Sequence, residues 1–188
     1  PGWTLQRLGD SGAADIAHMR EAVAQHRQAN LGGALSAIDA AIAQRPNDPF
    51  YRDLKAQILL ESRRAADAAR VASEASRLAP RNAQILSGLG RAQLASGNAA
   101  AAVQTLETAR GRDFADARIL RDLATAYAKT GNPGMASEAT AQRYALEGKL
   151  SDAAIHARRA LDLLPRGSAP WRRAQDVLDE ADRAKKKR

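Results

Sequence analysis

Apolar and small residues recur along this chain at the spacing of an amphipathic helix, and the runs that carry them repeat at a fixed interval. Pro46 and Pro80, 34 positions apart, each close such a run, AIDAAIAQRP and ASEASRLAP. No stretch shows the alternation of Val, Ile and Thr that indicates a half-buried strand. A fixed period of this length, filled with helices, is typical of an all-α repeat protein. Four further pairs share the spacing: Gly97 and Gly131, Leu86 and Leu120, Leu89 and Leu123, and Ala102 and Ala136.

Small residues stand where neighbouring helices must approach closely. Alanine accounts for 44 of the 188 residues, while aromatic residues make up only 4%. Alanine permits close contact between helices and is also the best helix former. Proline after each pair ends the helix, because it lacks an amide proton and clashes with the preceding turn. The positions are Ala22, Ala56, Gly90 and Ala124 in first helices, and Ala34, Ala68, Ala102, Ala41, Ala75 and Ala109 in second helices.

The period halves in the stretch GNPGMASEATAQRYALEGKLSDAA, where Gly131 and Gly148 are separated by half the usual interval. Asn132 is a candidate N-cap, Pro133 suits the first helical turn and Gly148 suits the stop. We therefore expect a helix over about 134–147.

This helix has features of both halves of a repeat. Ala136 is in register with second helices, whereas Ala141 and Tyr144 stand where a first helix would place them. Thr140 and Arg143 replace the apolar and small residues of a regular second helix. The next run, SDAAIHARRALDLLP, again has the second-helix pattern. We expect one helix to serve two overlapping repeats.

The organisation predicted from these patterns has three parts. Residues 1–12 form an N-terminal extension, 13–167 the repeat array, and 168–188 a capping helix with a basic tail. In the last part, Trp171, Ala174, Val177 and Leu178 lie on one side of the helix, where they can cover the end of the stack.

The repeat resembles the tetratricopeptide repeat (TPR), whose consensus is W-x2-L-G-x2-Y, then A-x3-F, then P. The resemblance implies an α-solenoid of about four to five repeats, with one helix shared. It departs from the consensus at Glu21 and Lys55, where leucine is expected, and at Phe114, which replaces the third proline. The matching residues are Leu86, Leu89, Gly90, Ala102 and Leu106, and again Leu120, Leu123, Ala124, Tyr127 and Ala136.

The second half also resembles a narrower group, the C-terminal TPR region of BepA-type bacterial zinc metallopeptidases, relatives of HtpX and the CAAX prenyl proteases. The resemblance covers roughly 49–178 and is closest after 120. The segment PFYRDLKAQILLES, from Pro49 to Ser62, carries the earlier part of it. The later part is carried by Leu123-Ala124, Ala126-Tyr127, Gly131, Gly134-Met135-Ala136, Gly148, Ala153, Ala160, Leu164-Pro165, Gly167-Ser168, Trp171 and Arg173-Ala174-Gln175-Asp176.

This second resemblance implies a bacterial periplasmic or cell-envelope protein in which the TPR arm binds outer-membrane assembly components and client proteins. Zinc is expected only in an upstream peptidase domain. The alternative is a stand-alone TPR scaffold with no peptidase partner domain; a cytoplasmic location also stays open.

The residues present favour binding over catalysis. His18, His26 and His156 are the only histidines, and none belongs to the H-E-x-x-H motif that holds a catalytic zinc. We therefore predict no catalytic residues, metal ligands or cofactor in this chain. The formal net charge is +8, which falls to +4, 25 basic against 21 acidic residues, without the last four positions. With few aromatic residues and no base-reading motif, nucleic-acid binding is a minor alternative.

First helices line the concave groove of a TPR protein, which gives the candidate binding residues. The arginines among them can hold a carboxylate through paired hydrogen bonds, so an acidic segment or chain terminus is the candidate ligand. A solvated face without a ligand is the alternative. Chaperone-tail adaptors need Lys, Asn and Arg where Asp53, Gly88 and Asp122 stand, which argues against that class. The candidates are Gln57, Gln84, Arg91, Arg118, Arg121, Thr125 and Lys129.

Overall fold

The structure, a computed structural model, describes residues 14–186, and across this range it consists of ten α-helices joined by short turns. The chain divides into two compact units, one ending at Ser96 and the other beginning at Gly97. The predicted N-terminal extension, together with Lys187 and Arg188, lies outside the described residues. In the first unit the helices are α1 (Ala14–Arg27), α2 (Leu31–Gln44), α3 (Pro49–Glu61), α4 (Ala65–Leu78) and α5 (Ala83–Ala95). In the second they are α6 (Ala99–Arg112), α7 (Ala117–Lys129), α8 (Pro133–Leu146), α9 (Leu150–Leu163) and α10 (Ala169–Lys186).

Local sequence explains where the helices begin and end. Asn30, Asn82 and Asn98 each accept a hydrogen bond from the backbone N–H three residues later, which satisfies an amide that the helix leaves unpaired. Pro133 is the first residue of α8, as predicted. Asn132 precedes it as the N-cap, but its side chain makes no capping bond; instead, its amide donates to Thr130.

One turn recurs in the same conformation in four successive repeats. Ala29, Arg63, Gly97 and Gly131 all have a positive φ, of 59°, 61°, 87° and 74°. Each follows the first helix of a pair. Glycine adopts this left-handed conformation without strain, whereas a residue with a Cβ does not. The two earlier turns therefore carry a local strain that the two later turns avoid.

In the first unit, the core lies between stacked helices and is built largely from alanine. Every second-helix alanine predicted for this unit is buried, from Ala34 to Ala75. Branched residues fill the spaces between them, chiefly Ile38, Ile58 and Val71. These side chains form two adjoining clusters, which join α1 to α3 and α3 to α5.

The second unit has the same construction, with one departure from the predicted packing. Ala102, Ala109, Ala153 and Ala160 are fully buried. Ala124, expected to be buried under a second helix, is only half-buried and faces a groove.

Helix α8 packs against α7, α9 and α10. The first helix α3 likewise packs against the helix that follows it, α4, and against the one after that, α5. Since α8 also packs on α7 nearly as extensively as the second helix α4 packs on α3, it behaves as the second helix of one pair and the first of the next. The period halves at Gly131 for this reason. The final helix, predicted within residues 168–188, spans Ala169–Lys186, and its Val177 joins a cluster with Ala141, Ala153 and Ala157.

Candidate functional site

A groove of about 570 Å³ lies within the second unit, between α7, α8 and α9. We call it the α7–α9 groove. Helix α7 supplies one wall, through Arg121 and Thr125, and α9 supplies the opposite wall, through His156 and Arg159, while residues of α7 and α8 form the floor. It is a cleft of the size in which proteins hold short peptides or small ligands.

Small side chains make the floor of this groove. Ala124, Ala128, Ala136 and Ser137 line it and leave the helix surfaces accessible. Thr140, also on the floor, donates its hydroxyl hydrogen to the Ala136 carbonyl over 2.8 Å. The hydroxyl oxygen keeps lone pairs that can accept a hydrogen bond from a backbone N–H. The floor therefore offers space for an extended main chain.

Basic side chains dominate the rim. Arg121, Arg143 and Arg159 all line the groove, and no carboxylate is among the lining residues in the described part of the chain. Two of the arginines are already paired beside it: Arg121 with Asp122 at 3.2 Å and Arg143 with Glu147 at 2.9 Å. Arg159 is exposed and forms no ion pair with any residue between 14 and 186. The groove thus favours a negatively charged ligand.

An aromatic cluster borders the rim between α8 and α9. The rings of Tyr144 and His156 have their centroids 5.5 Å apart, and the guanidinium of Arg143 lies 4.3 Å from the centre of the Tyr144 ring. Cation–π attraction of this kind fixes the orientation of the arginine. Burial, followed by the charges of Arg159 and Arg143, lowers the pKa of His156 below its usual value.

Of the candidates predicted on α7, two line the groove and two do not. Arg121 and Thr125 face it, the threonine with its hydroxyl bonded to the Arg121 carbonyl at 3.1 Å. Arg118 instead forms two hydrogen bonds with Asp116, at 3.2 and 2.9 Å, and this pairing raises its pKa. Lys129 is exposed in the last turn of α7, where its positive charge interacts favourably with the negative end of the helix dipole.

The remaining candidates belong to the first unit, where acidic residues surround them. Gln84 hydrogen-bonds to Asp53, and the charge of Arg91 acts on both Asp53 and Glu61. Gln57 donates to Glu61 over 3.0 Å. Burial nevertheless raises the pKa of Asp53. The candidates in this unit are thus held by neighbouring carboxylates.

Sequence analysis missed three residues that define the α7–α9 groove: Arg143, His156 and Arg159. Arg143 stands 34 positions after Ala109, a buried residue against which the helices pack closely. The arginine at this position was visible in the sequence as an irregularity of α8. In the structure it lies where α8 leaves space for the groove. His156 and Arg159 lie on a second helix, outside the first-helix rule used to choose candidates.

Other kinds of site find no support among the described residues. Between residues 14 and 186, no group of three His, Cys, Asp or Glu side chains could hold a metal ion. Within the same range, no helix is long and apolar enough to cross a membrane.

Within each unit, short helices pack on their neighbours in chain order, which is the construction of an α-helical repeat protein. Within that class, residues 59–121 match the tetratricopeptide repeat family. The predicted fold, an all-α tetratricopeptide-repeat solenoid, is confirmed by likeness to solved structures. No curated protein sequence matches the chain.

Three solved structures show this likeness. MamA is 18% identical, with a TM-score of 0.69 over 94% of this chain and 90% of MamA. YrrB, described as a TPR protein with an unusual peptide-binding site, is 15% identical, with a TM-score of 0.65 over 97% of both chains. A thermophilic TPR protein from Thermus thermophilus is 18% identical, with a TM-score of 0.55 over 87% of this chain and 98% of that one. At these identities the likeness establishes the fold alone.

Proposed function

We propose that this protein is a TPR scaffold that binds an acidic, extended segment of a partner protein in the α7–α9 groove. The observation that carries the proposal is the lining of that groove, where three arginines and a histidine surround a floor of small residues without a carboxylate. Arginine binds carboxylates through short charge-assisted hydrogen bonds, and Arg159 has no ion-pair partner among the described residues.

The peptide-binding part of the proposal follows from the shape of the floor. A regular second helix would place an alanine at position 143, and the neighbouring helices would close over it. Arg143 and Thr140 instead leave a cleft in which a main chain can lie beside hydroxyl groups. YrrB, with the same fold, is described as having a peptide-binding site, which supports peptide binding as a use of this architecture.

A direct test measures the binding of a fluorescein-labelled ten-residue peptide of alternating Glu and Ser to the full chain by fluorescence anisotropy. Reversing two charges at once, in Arg121→Glu with Arg159→Glu, is expected to weaken binding at least tenfold. An otherwise identical peptide with Lys in place of Glu is expected not to bind in the groove.

Because the chain carries a net charge of +8, any polyanion attracts it, and the control must remove this effect. The matched control is Arg77→Glu with Arg81→Glu, the same charge change at exposed positions of the first unit. Equal loss of affinity in both double variants would show attraction to net charge alone and would overturn the proposal.

A second candidate function rests on the run from Leu123 to Asp176 that resembles BepA-type peptidases. Under this candidate, the chain is the non-catalytic arm of a periplasmic or envelope zinc metallopeptidase that acts in outer-membrane protein assembly or quality control. A specific contact favours it: Gly134 of the GMA element packs against Leu164 of the LP element and against its neighbour Leu163. The test is the coding sequence that precedes this region in its gene, which this candidate requires to contain H-E-x-x-H.

A further inference from the structure

A second groove, of about 540 Å³, is lined by residues of α6, α8 and α10, together with Phe114 from the turn after α6. We call it the α6–α10 groove. Its apolar lining comes from Phe114, Ala145, Leu146 and Val177. None of its lining residues is shared with the α7–α9 groove.

Two large apolar side chains in this groove are exposed. The exposed fraction is 81% for Phe114 and 47% for Leu146. Phe114 stands 34 positions after Pro80, where the repeat places a helix-ending proline. Helix α6 ends at Arg112 without that proline, since Asp113 is its C-cap. Phe114 therefore stands in place of a helix-ending proline, and its aromatic ring is not buried in the core.

The charged side chains at the base of the groove neutralise one another. Arg110 pairs with Glu107 at 3.0 Å and with the buried Glu138 at 3.2 Å, while Arg173 pairs with Glu138 at 2.6 Å. Two arginines thus balance two glutamates. Glu180, which also lines the groove, is exposed and forms no ion pair with any described residue. The groove therefore presents apolar surface beside one uncompensated negative charge.

We propose that the α6–α10 groove is a second docking surface, which takes a short peptide segment carrying an apolar side chain next to a lysine or arginine. The apolar side chain packs between Phe114 and Leu146, and the cation pairs with Glu180. This charge preference is opposite to that of the α7–α9 groove. The protein would then hold two different segments at once, and neither proposal depends on the other.

A random 12-residue peptide library displayed on phage tests this inference, selected against the immobilised full chain and counter-selected against Phe114→Ser. Enriched sequences are expected to combine an aromatic or aliphatic residue with Lys or Arg within three positions. Because Phe114 is exposed, the serine variant should keep the helical circular dichroism and melting temperature of the parent. The inference is overturned if no peptide depends on Phe114, or if the enriched peptides are acidic.

The affinity of one enriched synthetic peptide then identifies the residues involved. We expect Phe114→Ser and Leu146→Ser each to weaken it at least tenfold and Glu180→Lys at least fivefold, with no change from Ile155→Ser. Ile155 is a matched control because it is 62% exposed and lines neither groove. A different occupant, a second copy of this chain, would appear in sedimentation velocity as a dimer lost in Phe114→Ser, and that result would also overturn the inference.

Discussion

Arg173 on α10 donates its Nε hydrogen to Oε1 of Glu138 on α8 over 2.6 Å, and Glu138 is fully buried. Arg110 of α6 donates to the other carboxylate oxygen over 3.2 Å. The network continues through Glu107, which accepts a 2.6 Å hydrogen bond from the Tyr127 hydroxyl of α7. Four helices of the second unit are thus joined by one chain of polar contacts. Since α8 belongs to two overlapping pairs, this network holds the irregular part of the repeat together.

The first prediction concerns Glu138. Glu138→Gln keeps the shape of the side chain but leaves Arg110 and Arg173 without their shared anion. Removing one partner of a buried ion pair typically costs about 3–5 kcal/mol of stability; because Arg173 is partly exposed, we expect about 2–4 kcal/mol, measured by urea denaturation. The matched control is Asp39→Asn, which breaks the exposed Lys55 pair and should cost less than about 1 kcal/mol. Equal losses in the two variants would contradict the proposed role of Glu138.

The sequence predicted the periodic part of the fold well, because that part depends on local rules. The positions of the helix pairs were correctly predicted from small residues at fixed intervals. Their ends were correctly predicted from the prolines that follow Arg45 and Ala79. The half-repeat at Gly131 was also predicted, since Ala136 and Ala141 indicated two registers on one helix. The Glu138 network was not predicted, because it joins residues 28 and 35 positions apart, and pairing at such distances follows from the packing angles of helices.

The candidate site was predicted less well for a similar reason. The first-helix rule found Arg121 and Thr125, which line the α7–α9 groove. It could not find His156 and Arg159, since α9 reaches the groove only because α8 has changed its role. The ion pairs were not predicted either. Arg118 bonds to Asp116, two residues before it, and sequence alone does not show that this local contact forms.

A second prediction concerns Gln93, whose side-chain oxygen is buried without a hydrogen-bond partner among the described residues. The residue 34 positions earlier is Leu59, which is 2% exposed. An unpaired buried polar group costs about 1–3 kcal/mol, so Gln93→Leu should stabilise the protein by about 1 kcal/mol and raise Tm by about 2–4 °C. The exposed Gln104, changed to Leu, is the control and should leave Tm within about 1 °C, as surface changes usually do. A lower Tm for Gln93→Leu would show that the amide has a partner, such as ordered water.

A third prediction concerns Gly134, the second residue of α8. A Cβ at this position would lie 3.0 Å from Cδ2 of Leu164 and 3.2 Å from Cβ of Leu163. Gly134→Ala should therefore destabilise the protein by about 1–2 kcal/mol, as overpacking does. Gly111→Ala is the control, because a Cβ there meets nothing within 4 Å, and it should stabilise by up to about 1 kcal/mol through helix propensity. Chemical denaturation of both variants distinguishes crowding from propensity.

A fourth prediction concerns pH. Burial, and the hydrogen bond that the Tyr51 hydroxyl donates to Asp15 over 2.6 Å, raise the pKa of Tyr51 to about 12. Below pH 10 the phenol is neutral in both folded and unfolded chains, and its full contribution is present. Between about pH 10 and 12 the unfolded chain ionises first, so the free energy of unfolding must fall. Tyr51→Phe should show a smaller fall across this range in urea denaturation, and an equal fall in parent and variant would show that Tyr51 is not its cause.

The contact between Tyr51 and Asp15 also makes stability depend on pH in the acid range. The Tyr51 hydroxyl is the main reason that the pKa of Asp15 lies below its usual value, with Arg45 adding to the effect. A lowered carboxyl pKa contributes stability above the unfolded value near 3.8, and this contribution is lost as pH falls through the folded pKa. The difference in stability between the parent and Asp15→Asn should thus be largest at neutral pH and shrink below pH 4. A difference independent of pH would show that Asp15 acts only through its size and neutral hydrogen bonds.

The last prediction concerns the left-handed turn that recurs in successive repeats. Arg63 adopts φ 61° where the later repeats have Gly97 at 87° and Gly131 at 74°. A left-handed conformation costs a residue with a Cβ about 1–2 kcal/mol, whereas glycine costs up to about 1 kcal/mol through the entropy of the unfolded chain. Arg63→Gly should therefore stabilise the first unit by about 0.5–1 kcal/mol in urea denaturation, and Gly97→Ala should destabilise the chain by a similar amount. A Cβ at Gly97 meets no atom within 4 Å, so backbone conformation alone accounts for that loss. Arg64→Gly, one residue further on at φ −96°, should gain nothing; an equal gain there would mean that the charge or bulk of arginine, rather than its backbone angle, limits the stability of this turn.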